Sequence, residues 1–170
     1  MTTAAAAYAY NNGTLIVGAA GDENAYHHNF PAVLDNAVYV HSIRHNTPDD
    51  DNPVGSYMNT WNCNNYGSRM VLVAPSGACA TGACAVTTGV IGLIHSAARN
   101  LGIELTAGEA YQLMIQTVDD VHLTEEERNR SMAYPSKEGW DAFFGYGRVN
   151  VGRAVETLVE GNIPPTVSVD

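Results

Sequence analysis

Three cysteines, a run of aspartates and a glycine-bearing turn are the residues of this chain whose types could do chemistry without help from elsewhere. Cys63, Cys79 and Cys84 cannot all pair with one another, and no two of them have Cys-x-x-Cys spacing. That sets aside a zinc knuckle or a thioredoxin-type centre. One disulfide with a free thiol suits an oxidising compartment; three buried thiols are the alternative. Asp49-Asp50-Asp51 sets three carboxylates side by side. Such a run could hold Ca²⁺, but its spacing is not that of an EF-hand, and a solvated turn is the plainer account. No other metal or cofactor is expected. Gly18-Ala19-Ala20-Gly21 follows an apolar run. It lacks the G-x-G-x-x-G spacing, and Asp22-Glu23 beyond it would repel a phosphate.

The elements that must carry these groups alternate between strand and helix. Ala4–Asn11 is alanine-rich and favours helix, with Asn12-Gly13 as its stop. Thr14–Ala20 is a continuous apolar run, as expected of a strand covered on both faces. Ala37–Ile43 and Met70–Ala74 read as two more strands, and Arg44–Asn64 between them as a long polar loop. Apolar residues at Val86, Val90, Leu93, Ile94, Ala97 and Leu101 have helical spacing and end at Gly102. Thr106-Ala107-Gly108-Glu109 is a capping box that opens a helix running to about Thr117. Thr124–Glu127 repeats the signal more weakly, and Val149–Val159 is a last short helix. The alternation predicts an α/β fold with a mostly parallel sheet flanked by helices over residues 1–160. Residues 161–170, with Pro164-Pro165, read as a linker into a following module.

Composition narrows the partners. Eight basic against eighteen acidic residues give a formal charge of −10. That field repels nucleic acid and anionic membrane surfaces, and no Lys/Arg cluster offsets it. Charged residues are only 15% of the chain, so Asn, Thr, Ser and Gly carry the polar surface. Such a composition is commoner in secreted and cell-surface proteins, and this is the expected location. No unbroken apolar run approaches ~20 residues, so no membrane insertion is expected. The Ala-rich start lacks the positive charge that opens a signal peptide.

Four segments, in order, resemble the subtilase (subtilisin-like serine peptidase) family. Leu15-Ile-Val-Gly-Ala-Ala-Gly-Asp-Glu-Asn24 is similar to the strand and turn written V-V-A-A-A-G-N-E. Phe30-Pro31-Ala32 with Asp35-Asn36-Ala37-Val38-Tyr39-Val40 resembles Y-P-A…D-N-V-I-A-V. Asn65-Tyr66-Gly67-Ser68 and Val73-Ala74-Pro75 resemble S-N-Y-G-S…V-A-P-G. The helix Gly89–Ile94, then Leu105-Thr106, Thr117-Val118-Asp119-Asp120 and Gly145-Tyr146-Gly147-Arg148-Val149-Asn150 complete the set, the last matching G-Y-G-x-V-N. The resemblance runs from Ala4 to Leu158. It implies the C-terminal half of a three-layer domain that cleaves peptides through an Asp, a His and a Ser, with an oxyanion-hole Asn. A serine hydroxyl needs an imidazole to take its proton, the imidazole needs a carboxylate to fix its tautomer, and the tetrahedral oxyanion needs a donor.

The chain departs from that pattern at every catalytic position. The family's Asp and His motifs are absent, and His27, His28, His41, His45, His95 and His122 lie in none of the His-motif context. The oxyanion position is Asp22 instead of Asn, which exchanges a donor for a carboxylate. Some kexin-like relatives also carry Asp there. Alignment on Gly89 puts Thr81 at the nucleophile; a one-residue deletion would put Gly82 there, and alignment on Gly92 would put Cys84. Thr81 is preferred because the Cys84 register misaligns the rest of the helix.

The expected function is therefore a subtilisin-like peptidase domain fragment, catalytically inactive on its own. Its partner would be the missing N-terminal half, or another copy of itself covering the exposed sheet edge. Two alternatives remain. One is half of a split or nicked active endopeptidase that is completed by another polypeptide and acts on peptide or protein substrates. The other is a non-enzymatic peptide-binding or scaffold module.

Overall fold

In the computed structural model, residues 2–43, 63–122, 125 and 135–166 are described. Helix α1 spans Thr2–Asn11. Its alanines have the highest helix propensity of any residue, and Gly13 (φ +83°) ends it in the left-handed conformation while Thr14 N–H bonds back to Ala9 O at 2.9 Å.

Three parallel strands follow in spatial order β1 (Ile16–Ala19), β2 (Ala37–Ile43) and β3 (Leu72–Pro75). Val17 pairs with Val38, and Val40 with Leu72. Since successive strand residues point to opposite faces, burial of all seven β2 residues means that both faces of the sheet are covered. β1 is half-exposed along its whole length, and among the described residues no strand pairs with its outer side. Both its ends are shorter than the Thr14–Ala20 run suggests.

Helix α2 (Cys79–Asn100) crosses the sheet and packs most extensively on β2. It begins at Cys79 rather than near Val86. Its first turns hold small residues, so they carry no large apolar periodicity, yet Ala80 and Ala83 are fully buried against the strands. Gly82 is needed there, because a Cβ would sit 2.1 Å from Ser76 Oγ. Further along, Val90, Ile94 and Ala98 form a second core with Leu113 of helix α3 (Ala107–Gln116) and with Ala154 and Leu158 of helix α4 (Val151–Val159). The capping box of α3 is present in full, Thr106 Oγ1 accepting from Glu109 N–H at 3.1 Å and Glu109 from Thr106 N–H at 2.8 Å. Asn150 caps α4 in the same way through Arg153 N–H.

The other side of α2 is bare. Val86 and Leu93 are exposed, and a Cβ on Gly89 or Gly92 would meet nothing within 4 Å. With 22 residues, 18 of them in a stretch of mean hydropathy 1.4, α2 has the length and composition to cross a membrane, which the absence of an unbroken apolar run did not foretell. Here one of its sides is core to the sheet and α4. Beyond α4, Ile163 packs on the second core and Thr166 lies against Gly108. The Asp49–Asp51 run, most of the Arg44–Asn64 loop and Thr124–Glu127, apart from Glu125, lie outside the described residues.

Candidate active site at the start of helix α2

The turn after β1 is built to hold Asp22 at the first turn of α2. Its backbone is clamped by two buried side chains. Tyr39 Oη donates to Ala20 O at 3.0 Å, and Asn65 Nδ2 donates to the same carbonyl at 2.9 Å and to Glu23 Oε2 at 2.5 Å. Asn65 Oδ1 accepts from Ala25 N–H at 3.1 Å, so one fully buried amide spans the loop. Gly21 (φ +94°) permits this closeness, since a Cβ would lie 2.6 Å from Asn65 Nδ2. The Asn65 hydrogen bond also holds the Glu23 carboxyl below its ordinary range. Asn65 was visible in the sequence only as part of a motif; its work as a clamp needed the fold.

From that turn Asp22 Oδ1 accepts a hydrogen bond from Ala80 N–H at 3.0 Å. Thr81 is the next residue, exposed on the first turn of α2. The two residues singled out by resemblance, 59 apart in sequence numbering, are thus brought to one spot. The role of Asp22 in this geometry is that of an acceptor. Ala78 at the N-cap has no side-chain oxygen to offer, and Asp22 supplies one from another element, at the positive end of the helix dipole. Ser76 Oγ accepts from Ala78 N–H at 3.0 Å. Asp22→Ala should therefore destabilise the chain by about 1 kcal/mol, while Asp22→Asn, which keeps the acceptor, should cost less than half of that. Urea midpoints of the two variants decide it; equal losses would mean that the carboxylate charge, not the cap, matters.

Cys79, the first residue of α2, has φ +41° and is joined to Cys63 by a disulfide. The open pairing question is thereby answered: Cys84 is the free thiol, and burial pushes its pKa up, away from nucleophilic reactivity. Its sulfur faces Val17 O inside the core.

Among the described residues the Thr81 hydroxyl makes no hydrogen bond, and the one buried histidine, His41, is engaged elsewhere. His41 sits on β2 with its ring nitrogens against Ser42 O and Phe143 O, and burial pulls its pKa below the ordinary value. No group of three His, Cys, Asp or Glu among the described residues is arranged to hold a metal.

No family model and no curated protein matches the sequence. Solved structures do match the fold. A lanthipeptide protease superposes with a TM-score of 0.67 at 16% identity, over 92% of this chain and 54% of that one. The patellamide maturation protease PatA gives 0.67 at 21% identity, over 94% and 56%. The PatG macrocyclase domain gives 0.66 at 18% identity, over 93% and 47%. The chain thus spans about half the length of the structures it matches. Its parallel sheet and flanking helices are the fold of a subtilisin-like protease domain.

Proposed function

We propose that this chain is one half of a subtilisin-like serine peptidase domain, without peptidase activity by itself and able to cleave peptides only if a complementary half supplies an Asp and a His. The observation that carries this reading is an exposed Thr81 at the start of α2, beside Asp22 and, among the described residues, with no base on its hydroxyl. A hydroxyl without a base is a poor nucleophile, and proton transfer alone contributes about 10²–10⁴-fold. The coverage of roughly half in the matched structures supports a missing half. So do the outer side of β1 and the Val86–Gly89–Leu93 face of α2, unpaired and bare among the described residues, which an additional strand and helix would cover. A Cys63–Cys79 disulfide fits a secreted or cell-surface location.

A second reading is favoured by the Asp22–Ala80 hydrogen bond. A carboxylate already bound to the helix start removes a donor from the oxyanion position, where losing one donor costs about 3–4 kcal/mol in the transition state. In this reading the domain grips peptides or acts as a scaffold and does not cut.

The test is the subunit content of the native particle by intact mass, with peptide sequencing of whatever co-purifies, followed by casein hydrolysis. The peptidase reading expects a second polypeptide carrying Asp and His motifs, and hydrolysis by the complex that Thr81→Ala abolishes. A particle made only of this chain, self-associated through the open edge, would overturn it. A complex that contains the second half but binds casein without cleaving it would establish the scaffold reading.

A further inference from the structure

Away from α2, a second hydroxyl does have a base. We propose that Ser68 and His28 form a nucleophile–base pair that hydrolyses small uncharged esters beside an aromatic cavity, independently of Thr81. Ser68 Oγ lies 3.2 Å from His28 Nε2, the reach required of a serine and its general base. The imidazole is placed by its surroundings. Gly67 lets it lie against the chain, since a Cβ there would come within 2.7 Å of Nε2. The Tyr26 ring flanks it at 5.3 Å between centroids, and Tyr26 is itself set by an edge contact with Tyr66 at 6.1 Å. Backbone bonds between the two segments, His27 N–H to Tyr66 O and Tyr66 N–H to Ala25 O, keep the histidine loop beside the serine.

Two further parts of a hydrolytic site are present. The Gly67–Met70 turn closes through Met70 N–H to Gly67 O at 3.1 Å. Among the described residues, the amides of Ser68 and Arg69 in that turn have no acceptor, and both residues are exposed. They are donors available to an oxyanion on a carbon attached to Ser68 Oγ. Ser68 also lines a cavity of about 380 Å³, with Tyr111, Trp140 and Tyr146 among its walls. Arg69 and Asp35 at its rim neutralise each other at 2.8 Å. An aromatic hollow without net charge suits an uncharged aryl or short acyl group.

The step balances with water as the only co-reactant. Ser68 Oγ attacks the ester carbonyl carbon as its proton passes to His28 Nε2. The tetrahedral intermediate expels the alcohol oxygen, which takes that proton from His28. Water then attacks the acyl-serine, giving its proton through His28 to the departing Ser68 Oγ, and the acid is released. Among the described residues no carboxylate orients His28, so turnover is expected to be slow.

The experiment uses the full chain and p-nitrophenyl acetate, with nitrophenol release followed by absorbance and the adduct by intact mass and peptide mapping. A single acetyl group on Ser68 is expected, absent in Ser68→Ala. Both residues are exposed, so His28→Gln should fold normally and acetylate about 100-fold more slowly. Urea-unfolded chain reports the background of free imidazoles. An adduct located elsewhere, release no faster than that background, or acetylation of Ser68 undiminished in His28→Gln would each overturn the proposal.

Discussion

Gly145→Ala is expected to cost the chain at least about 4 kcal/mol, the range reserved for a clash that cannot relax. A Cβ at this position would lie 2.3 Å from Val71 O and 2.4 Å from Val71 C, both backbone atoms next to β3. Nothing there is the movable end of a side chain. The residues after Gly145 are a strap along β3: Tyr146 N–H bonds Val71 O, Val73 N–H bonds Gly147 O, and Val149 N–H bonds Val73 O, at 2.8, 3.0 and 2.9 Å. To make room, the strap must lift and give up some of these bonds, each buried donor or acceptor costing about 1–3 kcal/mol when left unpaired. The backbone itself (φ +63°) adds roughly 1–2 kcal/mol for any residue with a Cβ. Gly139→Ala is the control that separates the two effects. Gly139 has φ +75° but open space around it, so only the conformational cost applies. Against a typical total stability of about 5–15 kcal/mol, Gly145→Ala should lose a large share of the stability and unfold at far lower urea than the parent, while Gly139→Ala shows a cooperative urea transition near that of the parent. Similar far-UV circular dichroism transitions for the two would mean that the strap is not packed as described.

The same strap shows why so much of the fold was legible in the sequence. The Gly145–Asn150 motif and the Thr117–Asp120 segment were separate clues, and the structure makes them one object, with Asp119 and Arg148 exchanging backbone hydrogen bonds at 2.8 and 2.7 Å. Gly147 is fixed by the same closeness, a Cβ there falling 2.3 Å from Asp119 O. Motifs of this kind record contacts of backbone with backbone, which tolerate few residue types and so survive as a pattern. β2 and the α3 capping box were legible for local reasons: a run of apolar residues wide enough for burial on both faces, and a Thr with a Glu three positions on. The start of α2 was missed because Cys79–Ala85 is made of small residues whose burial depends on the nearness of the sheet, a tertiary property. The site was half legible. Resemblance put Asp22 and Thr81 in one place, but nothing local to Asp22 says that it accepts from Ala80 N–H, and nothing in the spacing of Cys63, Cys79 and Cys84 says which two will meet. Ser68 and His28 are 40 residues apart and lay in no catalytic pattern.

Asp119 offers the second large effect and ties the strap to α4. Its carboxylate accepts from Arg148 Nη2 and Arg153 Nη2, both at 2.8 Å, and from Asn150 Nδ2 at 3.0 Å. Burial acts to raise its pKa, but the hydrogen bonds from Arg148 and Asn150 and the charges of Arg148 and Arg153 together outweigh it and hold the group below the ordinary carboxyl value. Asn150 is at the same time the cap of α4, so the carboxylate orients the residue that starts the helix. Asp119→Asn leaves two guanidinium groups without their counter-charge, Arg148 in a partly buried position and Arg153 half-exposed. Breaking a fully buried pair costs about 3–5 kcal/mol and an exposed one about 0.2–1 kcal/mol; the Arg148 pair is only partly buried and Arg153 is half-exposed, so the expected loss is about 2 kcal/mol at pH 7. The sign with pH follows from the lowered pKa. The stabilisation is fully present above the unfolded carboxyl value, near 3.9, and is lost as pH falls through the folded value below it. The gap between parent and variant should thus be constant from pH 7 to about pH 5 and narrow below pH 4. Asp141 acts in the opposite sense, burial having raised its pKa in spite of the amides that bond it. Its contribution is present at acid pH and lost as pH rises through that value, so the parent's own pH profile mixes the two, and only the difference between the chains isolates Asp119. Urea midpoints of both chains at pH 7 and pH 3 measure it. A gap that stays the same at the two pH values would show that Asp119 holds α4 by shape and not by charge.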